Sequence, residues 1–183
     1  RPGHGCITLR VAASFLADAS YPVTIDPLVS TFGVASSTRS QFHPDIARDG
    51  SFNEFVVVYE EQFNASDHDI LSQRFAADGT LLNQISFDVT TDMCITPKIC
   101  AAQSATIFIA IWDNDGSAKG IQARAHRLSL GTSDPVAQVT ADGALEDCRD
   151  PDIGGGTQLG VNNIGQMAVF VRRTAGVNFS LRG

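Results

Sequence analysis

Three stretches decide how this chain is read: FHPDIARDG at residues 42–50, CITPKICAA at 94–102 and RDPDIGGGT at 149–157. Each holds a proline, one further residue, an isoleucine and then small residues. Pro44, Pro97 and Pro151 stand 53 and 54 residues apart. A fixed period of this length is a statement about architecture, to be settled before any single element is assigned. The features downstream of each proline keep the same order. EFVVVYEEQ (54–62), TIFIAIWDN (106–114) and GQMAVFVRR (165–173) follow in turn, the last delayed by an insertion around QLGVNN (158–163). Tyr59, Trp112 and Val171 are matched across them. These runs are short, β-branched and aromatic, and bounded by turn residues, so they are read as central strands covered on both faces.

A polar loop and a more alternating strand come next: NASDHD before ILSQRF, DNDGSAKG before IQARAHRL, and TAG before VNFSLRG. Alternation fits a strand with one wetter face. His126 takes the strand position of Phe75. ADGT (77–80) and SLGT (129–132) supply matching turns. ISFDVTT (85–91) and VAQVTAD (136–142) are read as fourth strands, and the third unit has none. No helical period is sustained.

Four antiparallel strands in a little over 50 residues are the unit of a β-propeller blade. The expected fold is all-β, with about three blade equivalents: 44–96, 97–150 and a partial third over 151–183. Residues 28–43, with LVSTFGVASST at 28–38, are expected to supply a closing strand and link. Residues 1–27 are read as an edge strand, centred on ITLRVAAS (7–14), and a linker from a preceding domain. Each proline is expected to open the first strand of its blade, where a missing N–H costs least. The remaining blades of the ring would come from the same longer chain or from a second copy.

Composition narrows the function classes. Hydrophobic residues make up 43% and charged residues 18% of 183, a globular mix long enough for a real core. The net charge of -7 argues against nucleic acid or an anionic membrane surface as partner. No stretch approaches the roughly 20 apolar residues that span a bilayer. Four cysteines, Cys6, Cys94, Cys100 and Cys148, are expected to form two disulfides in an oxidising, extracellular compartment. Cys94 and Cys148 each lie three residues before a repeat proline and are the favoured pair, with Cys100 as rival. No C-x-x-C spacing supports zinc.

PDIARDG, FVVVYEE and DILSQRFAADGT, followed by PKICAA, FIAIWDNDG and GIQARAHRL, resemble the FG-GAP-like and related propeller repeats of bacterial secreted and surface proteins. The resemblance covers about 155 residues from Leu28. It implies a secreted or cell-surface scaffold with adhesion or ligand-binding roles, binding protein or glycan. Its motifs are packing and turn positions, so they specify fold more than activity.

Chemistry-bearing residues are few. Asp113 and Asp115 in WDNDGSAKG could offer calcium oxygens from one turn, but no third acid or distal Glu follows at the EF-hand offsets, and an Asx turn is the simpler reading. Calcium is the one cofactor considered. The loops at 63–69 and 113–120 are the candidate binding face, with Phe42 and Phe63 as exposed aromatics. Asn64 and Asn178 lie in glycosylation sequons. His43 fills a slot that is Thr96 and Asp150 in the other units. No nucleophile elbow, H-E-x-x-H or phosphate-binding glycine loop is present, GGG at 154–156 included. A non-enzymatic structural or binding segment is therefore expected. A lectin-like propeller is the alternative, and a glycoside hydrolase the second. The hydrolase would need axial acids, for which Asp45 and Asp152 hold matching slots and Lys98 the third.

Overall fold

The computed structural model of the chain describes residues 13–18, 31–102, 106–116, 119–140, 147–158, 164–174 and 178–182. Two compact units divide it, Arg1–Phe32 and Gly33–Gly183. In the first, helix α1 spans Ala13–Asp18. This corrects the expected edge strand at Ala13 and Ser14, whose loose alternation continues into the good helix formers Leu16 and Ala17. The rest of that expected strand lies outside the described residues.

The second unit is all-β and antiparallel. Its first sheet runs β1 (Gln41–Asp49), β2 (Glu54–Asn64), β3 (Asp67–Ala76), β4 (Leu81–Asp88), each strand paired with the next. The second runs β5 (Cys94–Ala102), β6 (Ile107–Asn114), β7 (Gly120–Arg127). The expected fourth strand there is two dipeptides, β8 (Thr132–Ser133) and β9 (Ala137–Gln138), both paired with β7. The third runs β10 (Asp147–Gln158), β11 (Ile164–Thr174), β12 (Asn178–Arg182). Among the described residues the three sheets remain separate ladders. Residues 31–40 carry no strand, and Gln41–His43 belong to the first strand of the first sheet. The expected closing strand is thus corrected over its described part.

The turns were well marked. Gly79 has φ 87° and Gly131 φ 64°, left-handed values that glycine adopts without a Cβ clash. Around Gly79 the ADGT turn is closed by Ala76 N–H to Thr80 O at 2.9 Å and Thr80 N–H to Asp78 Oδ1 at 2.9 Å.

The repeat prolines are not strand openers, which corrects the sequence reading. Each sits inside a strand, at a bulge. Between the pairs Phe42↔Glu60 and Asp45↔Val58, His43 and Pro44 together face Tyr59. Thr96 and Pro97 face Trp112 in the same way, and Asp150 and Pro151 face Phe170. A bulge sets two residues against one, and it is among the few places inside a sheet that tolerate a missing N–H. The residue before each proline is left-handed: His43 at φ 47°, Thr96 at 50° and Asp150 at 52°. Positive φ is uncommon outside glycine, so its threefold recurrence marks one inherited unit. The register also shows that Phe170, and not Val171, matches Tyr59 and Trp112.

Pairing fixes which side chains share a face. Each sheet has a front, carrying Val57 and Tyr59, Ala110 and Trp112, or Ala168 and Phe170. Each has a back, carrying Val56 and Val58, Ile109 and Ile111, or Met167 and Val169. The back of the first sheet packs on the front of the second, burying Val56, Val58, Ile70 and Phe87 with Ile99, Phe108, Ala110 and Trp112. The back of the second packs on the front of the third through Ile111, Ile121 and Cys148, with Ala123, Ile153, Ala168 and Phe170 beside them. β5 runs beside both β1 and β10, so the three proline strands are neighbours.

Candidate functional site

The densest polar constellation lies where β1, β2 and β3 meet the start of β5. Its centre is Glu60, the residue after Tyr59 in the apolar strand β2, on the back of the first sheet. Its carboxylate is buried and takes three partners. His43 Nδ1 lies 2.8 Å from Oε2 and His68 Nδ1 2.6 Å from Oε1. The backbone N–H of Thr96 donates to Oε2 at 3.2 Å. His43 is exposed at the bulge of β1, and His68 is buried on β3. With Nδ1–H given to the carboxylate, Nε2 is the second nitrogen of each ring. His68 Nε2 is buried without a hydrogen-bond partner, so no hydroxyl or thiol is poised on it as a nucleophile would be. The backbone of His68 is tied to the second sheet's approach as well, its N–H donating to Asp92 O at 3.1 Å beside a bridge to Met93. Glu60 therefore fixes two strands of one sheet and the entry of the next.

This constellation was missed in the sequence. The sequence reading puts His43 in a variable slot and His68 in a loop. The available signal was the acidic pair Glu60–Glu61 inside an otherwise apolar strand, since buried charge requires partners.

The axial acids are also engaged. Asp45 Oδ2 accepts the N–H of Ile99 at 2.9 Å, crossing from β1 to β5. Asp152, exposed, accepts the N–H of its own neighbour Ile153 at 2.9 Å. Register confirms that Asp45, Lys98 and Asp152 occupy one slot, opposite Val58, Ile111 and Val169.

Asp113 and Asp115 are placed apart in role. Asp113 is buried in the register position of Glu60. The Asp115 carboxylate lies 3.7 Å from Lys119 Nζ and 3.7 Å from Arg149 Nη2. Among the described residues, no group of three or more His, Cys, Asp or Glu side chains is arranged to hold a metal ion.

Cys94, Cys100 and Cys148 are buried thiols that form no disulfide, which corrects the expected pairing; Cys6 lies outside the described residues. Cys94 and Cys148 do share a register, opposite Asn114 and Arg172. That equivalence is why they do not pair: each points forward, into a different seam. Cys100 points back, and its thiol donates to Gln166 Oε1 at 2.9 Å. Burial, then the nearby Asp45, pushes the Cys100 thiol up to about 11; burial first, then Asp88, drives Cys94 higher. Neither is an activated nucleophile.

The loops expected to bind are held by their own contacts. Arg39 stacks over the exposed Phe63 ring, 4.1 Å from its centroid. Asn64 Oδ1 accepts from the N–H and hydroxyl of Ser66, and Asn114 Oδ1 from the N–H of Gly116. Asp69, behind the first of these loops, has its carboxyl pushed up to about 6 by burial and then by Asp67, Asp88 and Glu61. His126, in the register of Phe75 as expected, is lowered by burial and then by Arg74 and Arg124, and its Nδ1 lies 2.9 Å from Ser133 Oγ.

Comparison with known proteins returns no match to any family model, curated protein or solved structure.

Proposed function

We propose that the chain is a β-propeller segment of a secreted or cell-surface protein, serving in structural or binding contacts and not in catalysis. One observation carries this reading. Three successive antiparallel meanders stack face to face, with their proline strands side by side, as blades do around an axis. The polar groups that could have served chemistry are spent on the seams: Asp45 holds the Ile99 N–H, and Glu60 holds His43, His68 and the Thr96 N–H. The β2–β3 and β6–β7 turns leave the same end of the stack and form the binding face of this reading, with Phe63 as its most exposed aromatic.

The test is a glycan array and a panel of immobilised extracellular proteins, run beside a panel of chromogenic glycosides and esters. Binding that is lost in Phe63→Ala, with no turnover, is the expected outcome. No binding and no turnover leaves the scaffold role. Turnover that disappears in Glu60→Gln overturns the reading.

A further inference from the structure

The two seams inside the chain obey one rule, back against front. Applied once more, the rule leaves two faces that no sheet among the described residues covers: the front of the first sheet and the back of the third.

On the front of the first sheet, Ile46 is 58% exposed. Its register equivalents are Ile99, 4% exposed and packed on the first sheet, and Ile153, packed against the second sheet's core. A depression of about 290 Å³ opens beside it, lined by Gln41, Phe42, Pro44, Val57 and Tyr59 together with Val34 and Ala35. Gln41 stands there in the register of Cys94 and Cys148. On the back of the third sheet, Met167 is 64% exposed. It occupies the register of Val56, which is fully buried in the first seam. A depression of about 280 Å³ lies there too, lined by Asp152, Ile153, Gly154, Met167 and Val169.

We propose that this chain associates head to tail with a second copy of itself, the back of one third sheet covering the front of the next first sheet. The proposal rests on the stacked-sheet reading above. Continuity with the internal seams identifies the occupant, because each uncovered face matches, residue for residue, a face already covered within the chain. One polar contact sharpens the fit. In the first seam Asp45 accepts the N–H of Ile99. The second seam cannot repeat this, because Lys98 fills the acid's slot. Between copies the acid returns, with Asp152 in the slot of Asp45 and Ile46 in that of Ile99. A front-to-back contact joins two different patches, so it generates a ring where the rotation closes, two copies included, and a filament where it does not.

Sedimentation equilibrium of the chain from about 5 μM to about 500 μM, a span reaching weak self-association, tests this. Average mass should rise with concentration. Ile46→Asp and Met167→Asp, both at exposed positions, should each return a monomer. An equimolar mixture of the two variants should give one-to-one pairs, since each retains the face the other has lost. Asp152→Asn should weaken association about tenfold, the loss of one charge-assisted hydrogen bond. A wild-type monomer at the highest concentration overturns the proposal, as does association that survives either Asp variant. Trp112, the single tryptophan, is buried in the first internal seam. Its emission should remain that of a buried indole throughout; a red-shifted emission in the wild type would count against the stack itself.

Discussion

The seam between the first and second sheets and the seam between the second and third share strands, registers and bulges, yet they bury different things. The first closes over Phe87, Phe108 and Trp112, none of them exposed to solvent. It is crossed by hydrogen bonds from Ile99 N–H to Asp45, Thr96 N–H to Glu60 and Arg124 Nη1 to the carbonyl of Phe87 at 2.9 Å. The second, among the described residues, closes over Ile111, Ile121 and Cys148, with Ala123 and Ala168 at its margin. Its polar ties are the Cys100 thiol on Gln166 and the 3.7 Å pair of Asp115 with Arg149. The backbone device is thus constant and the filling varies. Strength at each seam follows from aromatic area and buried hydrogen bonds, not from the repeat as such.

The largest expected effect tests that difference directly. Trp112→Ala should cost about 3–5 kcal/mol, the range for emptying a buried large aromatic site, in urea denaturation. Phe170→Ala, at the equivalent but half-buried position, should cost no more than about half of that. Equal losses would erase the distinction between the seams. Glu60→Gln comes next. It leaves the shape intact but replaces one acceptor oxygen by a donor facing His43, His68 or the Thr96 N–H, for an expected loss of about 1–3 kcal/mol. The third sheet has Val171 in this register and needs no such carboxylate, so Val171→Ala should stay nearer the cost of trimming a half-buried aliphatic.

The smallest effect is read from pH. The Asp69 carboxyl is raised to about 6 in the folded chain, against about 3.9 when unfolded. Between those values the folded state holds the extra proton. Its contribution is therefore fully present below about pH 4 and is lost as pH rises through about 6. Melting midpoints should fall across this interval, and Asp69→Asn should flatten the fall and raise the midpoint at neutral pH. In the second sheet, Asn114 and Gly120 replace the pair Glu61 and Asp69, so the dependence belongs to the first sheet. An unchanged slope in Asp69→Asn would place its origin elsewhere.

Much of the architecture was legible because spacing and hydrophobic runs encode it. The period of the prolines, the β2, β6 and β11 runs and the ADGT and SLGT turns all read correctly, though the place of each proline within its strand did not. What escaped depends on backbone geometry that residue identity does not express. A proline inside a strand looks like a proline at its start until the bulge is seen. The third hairpin adds a register shift of its own between Gly155 and Gln158, so counting along its delayed run lands on Val171 where Phe170 belongs. Equivalent cysteines invite pairing, yet equivalence places them on the same side of successive sheets. VAQVTAD alternates well enough for a strand, but of its described residues only Ala137 and Gln138 join the ladder. Glu60 was hidden because its partners come from three separate strands, a convergence with no signature in local sequence.

The proline bulge carries one more consequence, for how such a chain can be lengthened. The two-against-one pairing at His43–Pro44, Thr96–Pro97 and Asp150–Pro151 lies within each hairpin, whatever ties its strand makes to the next sheet. A segment bearing its own alignment mark can be duplicated without renegotiating the rest. The extra residues between β10 and β11 leave Asp152 paired with Val169, in the register of Asp45 with Val58. A further unit then needs only a seam filling of its own, as the two seams here illustrate, one aromatic and one largely aliphatic.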